Sequence, residues 1–146
     1  VLVVAGTHRD AGRGDAADVA HRRDTVFHAV CSELAERRLP GVQLHGFADS
    51  TEPDYDVIVS TGRGTDQEDH ETGRRLARAL GGRDFEVCRA WARTCVLEGR
   101  TNMQGRRAGE LDVPFLHVEF ARSVRSDAAR AGRAAAAVRS TVAAWR

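Results

Sequence analysis

Three short stretches carry residue types whose spacing could support chemistry: DVAHRRDT at 18–25, VQLHGF at 42–47 and FLHVEF at 115–120. In the first, Asp18 and His21 stand three apart, a spacing that suits one shared metal or a hydrogen bond between the two side chains. Arg22 beside them offers a planar fork for a carboxylate. Asp24 or Thr25 is equally suited to cap a following helix. In the second stretch an apolar run ends on His45, followed at once by Gly46. In the third, strand alternation sends His117 and Glu119 to one face and Val118 and Phe120 to the other. Ionisable groups inside an apolar strand are costly unless paired or bound to metal, and an edge strand with one solvated face is the alternative. Thr7, His8 and Arg9 follow an opening apolar run, while Arg100 and Asn102 sit in the polar stretch LEGRTNMQGR. His28 and His70 fall in helical segments and read as surface residues. Arg13-Gly14-Asp15 matches a cell-adhesion tripeptide, a match short enough to arise by chance.

The elements that must position these residues alternate along the chain. Residues 1–6, 42–47, 56–60, 85–88 and 115–120 read as strands, bounded by Gly, Pro and Asp-rich turns. Residues 25–38 carry Val26, Phe27, Val30, Leu34 and Ala35 at helical spacing, and the charged segment 66–82 reads as a helix stopping at Gly81-Gly82. Residues 89–113 read as a long polar loop and 126–145 as an alanine-rich final helix. Strands alternating with helices predict an α/β domain with a mainly parallel sheet, whose sites form beyond the carboxyl ends of the strands.

Composition narrows the function classes. The 146 residues, 42% hydrophobic, suit one globular domain. The formal charge is +1, and all 22 basic residues are arginine, a bias expected of a GC-rich bacterial coding sequence. No basic stripe argues for nucleic acid, and no apolar run reaches membrane-spanning length. Cys31 falls on an apolar helix face, and Cys88 and Cys95 could pair, although reduced thiols in a cytoplasmic protein are the plainer expectation. Because the chain opens at Val1 inside an apolar strand, a missing amino-terminal portion is expected, and with it part of any site.

Taken together, the motifs resemble the zinc carboxypeptidases and the related N-formylglutamate amidohydrolases. ADVAHR looks like the substrate-binding segment of that superfamily with histidine in place of asparagine, VQLHGF like its third-ligand strand and FLHVEF like its glutamate strand, in the family's order. The family's His-x-x-Glu ligand pair does not occur. The resemblance implies a three-layer α/β domain with a mainly parallel or mixed central sheet, and a hydrolase acting on an amide or peptide bond in a carboxylate-bearing small molecule or peptide. It further implies zinc on His45, Glu119 as general base, His21 and Arg22 on the substrate carboxylate, and Arg9 at the developing oxyanion. Arg100 and Asn102 would add substrate contacts. Two other expectations stand beside it: a non-catalytic ligand-binding domain of the same fold, and a metal-dependent esterase or deacetylase using Asp18, His21 and His45.

Overall fold

A computed structural model describes residues 10–11, 14, 16–62 and 71–145. The expected strand at 1–6, together with Thr7, His8, Arg9, Arg13, Asp15 and His70, lies outside the described residues. Within them the chain is α/β, with a four-stranded mixed sheet and five helices.

The first helix, α1 (Val26–Glu36), takes Thr25 rather than Asp24 as its N-cap, the hydroxyl accepting from the His28 backbone N–H at 3.1 Å. Two strands follow, β1 (Gly41–Phe47) and β2 (Val57–Ser60). Helix α2 (Glu71–Gly81) buries Leu76, Ala77 and Leu80 and turns its arginines outward. Its Gly73 permits close approach of Trp91, since a Cβ there would lie 2.8 Å from the indole ring. After β3 (Val87–Arg89) comes α3 (Met103–Glu110), inside the stretch expected to be loop. The periodicity is weak because MQGRRAGE carries two glycines and little apolar surface, but Asn102 caps the helix by accepting from Gly105 N–H at 2.9 Å. Strand β4 (Phe115–Ala121) completes the sheet. The expected final helix is two, α4 (Arg122–Ser126) and α5 (Ala128–Val142). Asp127 breaks it with extended backbone, and its carboxylate caps α5 through Arg130 N–H, a bond that holds its pKa below the usual carboxylate value.

The sheet order is β1-β4-β2-β3, with β1 parallel to β4, β4 antiparallel to β2 and β2 parallel to β3. Leu44 opposes Val118, so β1 and β4 are neighbours in one sheet. β1 is outermost among the described strands, and Leu44 is 56% exposed. One face of the sheet presents Val118, Phe120, Val57 and Val59, which join Leu76, Leu80, Val124, Ala134 and Ala137 from α2, α4 and α5 in the core. The opposite face is covered by α3, where Gly105 approaches the Phe115 ring, and by α1 packed on α3. Hydrophobic burial is therefore concentrated on one side, and the other holds most of the polarity.

Cys88 and Cys95 form a disulfide, correcting the expectation of free thiols, because the chain after β3 folds back and brings their Cα atoms within 6.2 Å. The inference of a reducing cytoplasmic compartment loses that support. Cys31 is free, and burial raises its thiol pKa. No helix among the described residues is long and apolar enough to cross a membrane.

Candidate functional site

Parallel pairing of β1 with β4 sets His45 opposite Glu119 and Gln43 opposite His117, so four polar side chains share one face of the sheet. Ser60 of β2 opposes His117 from the other side. Because β4 is flanked on both sides, a solvated edge does not explain HVEF: His117 is 4% exposed and Glu119 7%. The two are paired instead, His117 Nε2 lying 3.2 Å from Glu119 Oε1. The His117 ring also packs against that of His45, centroids 4.5 Å apart and planes inclined by 36°. His117 Nδ1 and Glu119 Oε2 are buried with no hydrogen-bond partner among the described residues. Such atoms are uncommon in folded proteins and mark a place where a ligand, water or ion completes the polar shell.

Residues 94–102 roof this face and enclose a cleft of about 990 Å³, within the range of small-molecule sites. Gly99 is the contact point. Its φ of +66° is left-handed, and a Cβ there would lie 2.6 Å from His117 Cγ, so both conformation and packing require glycine. The roof is fixed at its start by the Cys88–Cys95 bond and by Glu98, whose Oε1 accepts from Cys95 N–H at 2.7 Å. At its end, Met103 N–H donates to Ala20 O at 2.8 Å. The cleft thus lies over the face of the sheet, with Gln43 and His117 at mid-strand, rather than beyond the strand ends as the fold class predicts.

The predicted site residues divide. His45, Glu119, His21, Arg100 and Asn102 all border the cleft. Arg22 does not. Its guanidinium is paired with Asp24, whose carboxyl it holds below the ordinary range, so the fork expected for substrate is used locally. His21 has both ring nitrogens engaged, Nδ1 with Asp18 Oδ2 and Nε2 with Thr101 Oγ1, each at 2.9 Å. Through these two bonds it clamps the 17–22 segment to the roof. Asn102 is 1% exposed with its amide consumed internally, Oδ1 by the α3 cap and Nδ2 by Gln43 Oε1. Arg100 is different. Its Nε donates to buried Glu98, its side chain is 57% exposed, and its two Nη groups make no protein hydrogen bond among the described residues. Gly46 makes room for Arg125 instead of His45: a Cβ there would meet the Arg125 guanidinium, which donates to the carbonyls of Phe120 and Phe47 at 3.1 Å.

Sequence reasoning missed the buried support beneath the site. Gln43 Nε2 donates to Gln104 Oε1 at 3.4 Å, and Gln104 Nε2 donates to Val19 O at 2.9 Å. Gln104 also lies 3.3 Å from His28 Nδ1, so the network runs from β1 through α3 to α1. Two glutamines and an asparagine at unrelated positions give no periodic signal. His28 serves as acceptor, and burial first, then Arg23 and Arg107, lowers its pKa below 6.5. Because the folded state favours neutral His28, its contribution to stability is present above the unfolded value and is lost as pH falls through the folded value. The urea midpoint should therefore fall between pH 7 and pH 5, and His28→Gln should flatten that slope; an unchanged slope in His28→Gln counts against this network.

Imidazole and carboxylate donors suit zinc in kind, and the orphaned atoms at His117 and Glu119 show a polar shell left incomplete beside His45. No group of three or more His, Cys, Asp or Glu among the described residues is arranged to hold a metal, so a full coordination set needs donors besides these. Comparison with protein-family models, curated protein sequences and solved structures gives no match for this chain.

Proposed function

We propose that the cleft hydrolyses an amide or peptide bond in a carboxylate-bearing small molecule or peptide, with Glu119 as general base. The observation that carries this is the register of β1 and β4, which puts half-buried His45 directly opposite a buried glutamate that keeps one oxygen unpartnered among the described residues. Glu119 is suited to take a proton from water at Oε2 and return it to the leaving amine, since a positioned carboxylate within hydrogen-bond reach is what such a transfer needs. Arg100, in place of Arg22, supplies the fork for the substrate carboxylate through its Nη groups. His45 would hold zinc, which when bound polarises a carbonyl and lowers the pKa of water. The order of the three motifs supports the finer likeness to zinc carboxypeptidases and N-formylglutamate amidohydrolases.

The test is hydrolysis of N-formyl and N-acetyl amino acids and of short carboxylate-bearing peptides, with zinc content measured in the same preparation. Arg100→Ala should raise KM about 10- to 100-fold for these substrates with little change in kcat, the loss expected for one hydrogen bond to a charged group. Equal loss on substrates whose carboxylate is blocked as an amide would remove Arg100 from recognition. The incomplete donor set favours a second reading, a metal-free ligand-binding domain, for which the same ligands would bind without turnover or zinc.

A further inference from the structure

We propose that His117 is a positioning residue for Glu119, an assignment that rests on the hydrolase reading above. A buried carboxylate acting as base must keep one oxygen turned to the reacting water, and a side chain with three rotatable bonds does not hold that pose unaided. Here the pose is built from three sides. His117 Nε2 lies 3.2 Å from Glu119 Oε1, so Nε2–H donates to that oxygen and leaves Oε2 for the cleft. The strand itself sets the pair, because residues two apart share a face. The imidazole is in turn confined between the His45 ring, with centroids 4.5 Å apart, and the backbone of Gly99, where even a methyl group would lie 2.6 Å from the ring. With Nε2 protonated, Nδ1 is the bare acceptor, and it is buried with no partner among the described residues. The roof segment thus acts on the base through the ring it covers.

Two measurements test this. In the hydrolysis assay, His117→Leu should lower kcat about 10- to 100-fold, the usual cost of removing a partner that orients a reacting group, and leave KM within about 3-fold. His117→Gln should recover most of the loss, because its Nε2–H can reach the same oxygen. Unchanged kcat in His117→Leu, or equal losses in folded Leu and Gln variants, would overturn the assignment. The second measurement needs neither substrate nor a His117 variant: long-range nitrogen–proton NMR of the imidazoles should show His117 as the Nε2-protonated tautomer, with that preference lost in Glu119→Leu. An Nδ1-protonated His117 would overturn it. Absence of hydrolysis by the unsubstituted chain would overturn the hydrolase reading itself, a result distinct from a wrong tautomer.

Discussion

Glu119→Gln is expected to lose turnover by about 10²- to 10⁴-fold, the range attributed to a general acid or base, while the protein stays folded and its zinc content is unchanged. The amide matches the carboxylate in shape, so the burial of position 119 and its pairing across the sheet with His45 and Ile58 should survive. Its oxygen can accept from His117 Nε2 as Oε1 does now, which turns the NH₂ group toward the cleft, where it cannot take a proton. Steady-state kinetics on N-acyl amino acids, with circular dichroism to check the fold, decide the matter. More than a tenth of the original kcat remaining in Glu119→Gln would exclude it as the base.

His45→Ala is expected to empty the protein of zinc after exchange into metal-free buffer and to abolish hydrolysis, because His45 is the donor that the described residues offer on β1 beside Glu119. The strand should tolerate the change, since His45 is half-buried and its backbone pairing with β4 does not depend on the ring. Metal analysis by mass spectrometry distinguishes the two variants. Zinc kept in His45→Ala but lost in Glu119→Gln would exchange the two roles, and full activity in both would leave the pair as structural groups. The contrast with Arg100→Ala matters here. That side chain is exposed and outside the His45–His117–Glu119 cluster, so its loss should appear in KM alone.

How much of this was legible beforehand follows from the range of the forces involved. Features set by neighbours along the chain are readable from the residues alone. A cap at Asp24 or Thr25 starts α1, alternation in FLHVEF puts His117 and Glu119 on one face, and Gly81-Gly82 ends α2. Capping, strand alternation and helix termination act within a few residues, so they can be read from short segments. Helix α3 escaped because its glycines and arginines weaken the same local signal, and the N-cap Asn102 was its one clear mark. The remaining features depend on contacts between segments far apart along the chain. The β1–β4 register brought His45 to Glu119, and packing of the 94–102 roof placed Gly99 on His117. The same packing joined Cys88 to Cys95 and put Arg100, rather than the locally paired Arg22, at the cleft. A side chain's local spacing shows what it can bond to, but which partner it takes is settled by burial and close approach of distant backbone, and those are fixed only when the sheet and its cover assemble.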